Sequence, residues 1–108
     1  MKVLSLFDGI SCGMLALQRA GIPVKCYDAF EIDKYAVTVS KRNFPVIVHH
    51  GNVYDGDFTQ FKGYDLLLGG SPCTYWSIAK KDREIDCDGE GFRLFQEYVR
   101  ALELSLIH

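Results

Sequence analysis

Apolar and polar positions change period several times along the chain, and each change marks an element. Lys2-Val3-Leu4-Ser5-Leu6-Phe7 is a short apolar-rich run closed by Asp8-Gly9, which predicts a buried strand over 2–7. From Ser11 to Ala20, Met14, Leu15, Leu17 and Gln18 place a stripe at helical spacing, and Gly21 followed by Pro23 ends it. Val24 to Phe30 predicts a second strand. Asp33 has the chemistry of an N-cap for a helix from Lys34 to about Arg42, closed by Asn43 and Pro45. Val46 to His49 predicts a short third strand, and 51–63 a loop with one short helical turn. Tyr64 to Leu68 predicts a fourth strand, whose Leu66-Leu67-Leu68 run implies burial on both faces. Gly69-Gly70-Ser71-Pro72 breaks it. Residues 78–91 are polar, carry Gly89 and Gly91, and read as a mobile loop. From Phe92 onward, Leu94, Phe95, Tyr98, Val99 and Leu102 repeat as a helix.

Strands alternating with helices predict an α/β fold with a mostly parallel sheet and right-handed crossovers. The last helix reaches His108 without Gly, Pro or a cap, where a doubly wound fold would continue into another strand. Residues 1–108 therefore read as the N-terminal part of a single larger domain, its sheet truncated after about four strands. The open edge beyond the fourth strand is expected to favour self-association.

Composition narrows the classes. A chain of 108 residues that is 48% hydrophobic and 24% charged has room for one core, and argues against disorder, collagen and a coiled coil. No apolar run approaches the ~20 residues of a membrane span. The start, Met1 to Asp8, lacks the apolar core and cleavage site of a signal peptide. An intracellular location is expected: cytoplasmic for a microbial or phage protein, nuclear for a eukaryotic one. The 12 Lys and Arg face 14 Asp and Glu, so no basic excess marks a self-sufficient nucleic-acid binder. Cysteines at 12, 26, 73 and 87 form no C-x-x-C, and His49-His50 has no cysteine at zinc-ligand spacing. Neither a metal site nor a disulfide framework is expected. Cys12, Cys26 and Cys87 read as buried structural thiols.

Candidate chemistry gathers where strands end. Phe7-Asp8-Gly9-Ile10-Ser11-Cys12-Gly13 joins the first strand to a helix, where small residues let a cofactor approach the backbone and helix-start amides favour an anionic group. A tight βα turn alone would look the same. Glu31 follows the second strand, 22 positions after Gly9, where an acid can accept hydrogen bonds from ribose hydroxyls. Ile32 beside it can pack on an adenine face. Asn52 after the third strand can meet an adenine edge, with Val53 below. After the fourth strand, Gly69-Gly70-Ser71-Pro72-Cys73 presents a cysteine at the sheet edge, where nearby dipoles can ionise it into a nucleophile.

Phe7-Asp8-Gly9-Ile10 with Gly13, then Glu31, then Gly51-Asn52-Val53, then Gly70-Ser71-Pro72-Cys73 with Ser77, resemble in order the DNA cytosine-5 methyltransferases. Asp8, together with Gly91-Phe92-Arg93-Leu94-Phe95, is especially similar to the animal de novo DNA methyltransferase subfamily and related phage and bacterial enzymes. The resemblance covers nearly the whole chain. It implies a Rossmann-like methyltransferase sheet and S-adenosylmethionine as cofactor. Phe7, Asp8, Gly9, Ile10 and Gly13 would line the methionine and adenosine parts, and Glu31 would hold the ribose. Ile32 and Val53 would sandwich the adenine, and Asn52 would meet its amino group through the amide oxygen. The family usually has Asp at that position, so weakened binding is expected.

Pro72, Cys73 and Ser77 would then form the catalytic segment. Cys73 would add to C6 of a flipped cytosine, making C5 nucleophilic enough to take the methyl group. Residues 74–91 would close over the base, where Lys80, Lys81 and Arg83 could touch DNA phosphates; Glu84, Asp86, Asp88 and Glu90 oppose them, and a merely solvated loop is the alternative. The family's Glu-Asn-Val segment, which holds the cytosine edge, does not occur in these residues. The 108 residues are thus expected to be inactive alone. A non-catalytic cofactor-binding module is the alternative, opposed by the Pro72-Cys73 pair. A nicotinamide-dependent oxidoreductase is opposed by the missing G-x-G-x-x-G.

Overall fold

The computed structural model describes residues 1–70 and 90–105. In chain order its elements are β1 (Lys2–Leu6), α1 (Cys12–Arg19), β2 (Cys26–Phe30), α2 (Lys34–Asn43), β3 (Val48–His49), 3-10 turns at Val53–Asp55 and Phe58–Phe61, β4 (Leu66–Gly69) and α3 (Glu90–Ser105). All strand pairs are parallel: β1 with β2 from Lys2↔Cys26 to Leu6↔Phe30, β1 with β4 from Val3↔Leu66 to Leu6↔Gly69, and β2 with β3 through Asp28↔Val48 and Ala29↔His49. The sheet order is β3-β2-β1-β4. The chain thus steps outward from β1 to β3 and then crosses to the other side of β1. Ligands of open α/β sheets bind outside the strands' carboxyl ends at such a reversal.

Alternation along β1 divides the core between two faces. Leu4 and Leu6 join Phe30, Val53, Phe58, Phe61, Leu67 and Ala101 on one, against α3 residues Leu94, Tyr98 and Leu102. Val3 joins Met14, Leu17, Tyr27, Ala29 and Ile47 on the other, under α1. Burial on both sides explains the continuous apolar run of β1. Leu67 is buried in the first cluster while Leu66 and Leu68 pack half-buried against the second, so the triple-leucine strand does serve both faces.

Local chemistry sets the helix ends. Asp33 caps α2 as predicted, its carboxylate accepting from the Tyr35 and Ala36 amides at 2.9 and 3.4 Å. Beyond α1, the Gly21 amide donates to the Gln18 carbonyl and the Ile22 amide to that of Leu17, a Schellman closure.

β2 starts at Cys26 rather than Val24 and β4 runs over Leu66–Gly69 rather than 64–68, and four further expectations change. β3 is shorter than predicted, because the Ile47 amide turns back to the Phe44 carbonyl at 3.2 Å and pairing starts at Val48. Two 3-10 turns replace the single one, the second capped by Asp57 through the Thr59 amide. Glu90 and Gly91 belong to α3 rather than to the preceding loop, since hydrogen bonding rather than periodicity sets a terminal turn. Cys12 is exposed and Cys26 half-buried, not buried thiols, because one opens α1 and the other starts a strand. The expected loop over 78–89 and Cys87 lie outside the described residues.

Candidate functional site

The β1–α1 turn is built from unusual backbone. Phe7 and Ser11 take left-handed conformations with φ of 55° and 69°, and Gly9 between them has φ of 62°. Such a conformation costs a non-glycine residue about 1–2 kcal/mol. Side chains offset that cost. The Asp8 carboxylate turns inward and accepts from the Ser5 hydroxyl and the Tyr27 phenol, each at 2.7 Å, and from the Ser11 hydroxyl. Ser5, Ser11 and Tyr27 are all buried, and burial pushes the Tyr27 phenol well above its usual pKa, so it stays a donor. Ser11 spends its hydroxyl on Asp8 and makes no side-chain cap, leaving the first amides of α1 without one from it.

A polar chain continues inward from this turn. With the Ser11 proton committed to Asp8, the Ser40 hydroxyl donates to Ser11. His49 Nε2, 3.4 Å from Ser40, is then the donor of that pair, which makes Nδ1 the bare nitrogen. Nδ1 is buried and has no partner among the described residues. Desolvation, with Lys41 and His50 nearby, lowers the His49 pKa.

Glu31 ties two strand ends together. One carboxylate oxygen accepts from the Gly9 amide at 2.7 Å, and the other from the Ile32 and Asp33 amides at 3.0 Å each. A carboxylate offers about four lone-pair positions, so one remains for an outside donor. Ile32, 70% exposed, and Ile10, 49% exposed, flank this acid as uncovered apolar surface. A Cβ at Gly9 or Gly51 would meet nothing within 4 Å, so the space before both backbones is open.

The segment after β3 differs in detail from expectation. The Asn52 amide oxygen already caps the first 3-10 turn, accepting from the Tyr54 amide at 2.9 Å. That oxygen keeps one lone pair, and the NH2 group has no partner among the described residues. Val53 is 4% exposed and belongs to the core cluster that also holds Phe30, Phe58 and Phe61, so its side chain is spent on the core. Gly13 also faces inward: a Cβ there would sit 2.7 Å from Leu68 Cδ1 and 3.0 Å from the Tyr27 hydroxyl. Its small size lets α1 lie on the sheet.

Phe7, Asp8, Gly9, Ile10, Glu31, Ile32 and Asn52 therefore follow the carboxyl ends of the strands, with Glu31 in direct contact with Gly9, whereas Gly13 and Val53 are turned into the packing. Pro72, Cys73 and Ser77 lie outside the described residues. The chain reaches them from Gly69, which pairs with Leu6 at the start of the β1–α1 turn. Sequence reasoning missed Asp8 and Glu31 as holders of that turn. It also missed Arg100, which donates to the Val53 and Gly56 carbonyls at 3.0 Å each. The Ser-x-x-Asp spacing of Ser5 and Asp8 was the only local signal.

Comparisons with known proteins agree with this architecture. The chain is 32% identical over 117 residues to DNA (cytosine-5)-methyltransferase DRM2 of Arabidopsis thaliana, covering 96% of this chain and 19% of the relative. It is 35% identical over 105 residues to the orphan methyltransferase M.SPRI of Bacillus phage SPR, covering 95% and 24%. The chain thus spans about a fifth to a quarter of the length of these curated relatives. A mutant DNMT2 from Spodoptera frugiperda shares the fold at TM-score 0.70 and 23% identity, over 94% of this chain and 31% of that one. The family model for C-5 cytosine-specific DNA methylases matches residues 1–105, and the chain belongs to that family.

Proposed function

We propose that these residues form the cofactor-binding, nucleophile-bearing N-terminal part of a DNA cytosine-5 methyltransferase catalytic domain. The observation that carries this reading is the Glu31–Gly9 bond, which joins the segments that follow β2 and β1 beside open space at the carboxyl ends of the strands. S-adenosylmethionine fits the donor set found there. Glu31 has acceptor capacity left for a ribose hydroxyl, Ile32 offers an uncovered apolar face to a purine, and Asn52 offers a polar amide to its edge. The open backbone at Gly9 and the amides at the start of α1 suit the amino-acid end. When bound, the cofactor supplies a sulfonium methyl group.

The chain's own contribution to the chemistry is Cys73. Its thiolate bonds to C6 of a flipped cytosine, which turns C5 into an enamine-like nucleophile. After C5 takes up the methyl group, loss of the C5 proton restores the ring and expels the thiolate. Pro72 and Ser77 frame that cysteine in sequence. Because the Glu-Asn-Val segment does not occur in residues 1–108, these residues alone are proposed to bind cofactor without methylating. The place of action is proposed to be intracellular, where the DNA is. No helix among the described residues is long and apolar enough to cross a membrane.

The test uses the whole protein carrying these residues, a duplex oligonucleotide with 5-fluorocytosine, and S-adenosylmethionine. Fluorine at C5 blocks the proton loss, so a covalent adduct on Cys73 is expected by peptide mass mapping, and none with Cys73→Ser. An adduct elsewhere, or full methyl transfer by Cys73→Ser, overturns the nucleophile. Cofactor binding without any adduct favours the non-catalytic module.

A further inference from the structure

Arg100 sits on the face of α3 that meets the 3-10 turns, and all three guanidinium nitrogens are engaged. Nη1 donates to the Gly56 carbonyl and Nη2 to the Val53 carbonyl, each at 3.0 Å. Nε donates to the Glu97 carboxylate at 2.5 Å, and the guanidinium carbon lies 4.5 Å from the Phe58 ring centre. The two gripped carbonyls bracket the turn Val53–Asp55, whose N-cap is Asn52. The turn is therefore fixed from two sides, by the Asn52 amide oxygen at its start and by the Arg100 fork across its length. A lysine in the same place has the charge and the stem, but not the planar fork that spans two carbonyls while holding a carboxylate.

On the cofactor reading given above, we propose that Arg100 is a positioning residue for the adenine end of the cofactor pocket, oriented by Glu97. Asn52 can meet a purine edge only if the turn following it keeps its shape. Through Arg100, α3 supports that turn from outside, at the Val53 and Gly56 carbonyls. α3 is also the helix that follows the Cys73 segment in sequence, so one side chain ties the nucleotide end of the pocket to the helix after the nucleophile.

The experiment compares the whole protein carrying these residues with its Arg100→Lys and Glu97→Gln variants. Titration calorimetry with S-adenosylhomocysteine gives affinity, amide exchange reports on residues 53–57, and KM is separated from kcat for S-adenosylmethionine. Loss of a charge-assisted bond is expected to weaken S-adenosylhomocysteine about five- to tenfold in Arg100→Lys. KM should rise by a similar factor with kcat within about twofold, the pattern of lost binding rather than lost chemistry. Exchange at 53–57 should quicken. Glu97→Gln leaves the fork in place but frees its holder, and should weaken binding about two- to threefold. Should Arg100→Lys fail to fold, Glu97→Gln decides alone. Wild-type affinity in both variants, or a fall in kcat at unchanged KM, overturns the role of Arg100 while leaving the cofactor reading intact. Failure of the wild-type whole protein itself to bind S-adenosylhomocysteine overturns both.

Discussion

Replacing Asp8 by alanine asks whether its carboxylate serves the ligand or the turn. The side chain accepts from three hydroxyl groups, on Ser5, Ser11 and Tyr27, which are 4%, 0% and 2% exposed. Each buried group left without its partner costs about 1–3 kcal/mol, and bonds to a charge lie at the upper end. Rotation lets some hydroxyls find substitutes, so a loss of about 3–5 kcal/mol is expected for Asp8→Ala. That is a large share of the roughly 5–15 kcal/mol that holds a domain folded. Asp8→Asn keeps the shape and one acceptor and should lose about 1–2 kcal/mol. Tyr27→Phe removes one donor and should lose about 1 kcal/mol, and the Asp8→Ala, Tyr27→Phe double variant should fall short of the sum by about the same amount. Urea midpoints followed by circular dichroism measure all four. A stability for Asp8→Ala within about 1 kcal/mol of wild type, with cofactor affinity lost, would refute the reasoning and return the carboxylate to the ligand.

Three further outcomes are expected. The folded state holds the His49 pKa below its ordinary 6.5, so the unfolded chain binds that proton more readily. His49 therefore costs no stability above pH 6.5 and draws stability away as pH falls below it. In His49→Gln, which keeps a donor for Ser40, denaturation midpoints should fall less on acidification; equal slopes for the two proteins contradict this. Asn52→Asp retains the turn cap and adds an acceptor charge, so S-adenosylhomocysteine should bind about two- to tenfold more tightly by calorimetry, and unchanged affinity counts against Asn52 as a contact. The β4 edge is unpaired among the described residues, so the 108 residues alone should self-associate with concentration in sedimentation velocity, and a monomer throughout argues otherwise.

Much of this fold was legible because its signals are local. A strand closed by Asp8-Gly9, a stripe ended by Gly21 and Pro23, and an Asp33 cap each depend on neighbours a few residues away. The strand-end site residues were legible for the same reason, since strand ends define where such sheets bind. What escaped depends on partners far along the chain. The inward turn of Asp8 needs Tyr27, the Glu31 bond needs Gly9, and the Arg100 fork reaches carbonyls 44 and 47 positions away. Val53 fits an adenine floor by position, yet the aromatic cluster around it decides its burial. Cys12 reads as a buried thiol by residue type, whereas its place at the outer start of α1 exposes it.

The most direct measurement of the central claim is a calorimetric titration of S-adenosylhomocysteine into the folded protein, wild type beside Glu31→Ala. Glu31 holds the Gly9 amide and keeps acceptor capacity, so on the proposed reading its loss removes a ribose contact as well as freeing the turn. Saturable one-to-one binding is expected for wild type, weakened at least about tenfold in the variant. A folded wild-type protein that gives no binding, or a Glu31→Ala variant that binds as wild type does, contradicts the site described at the carboxyl edge of the sheet.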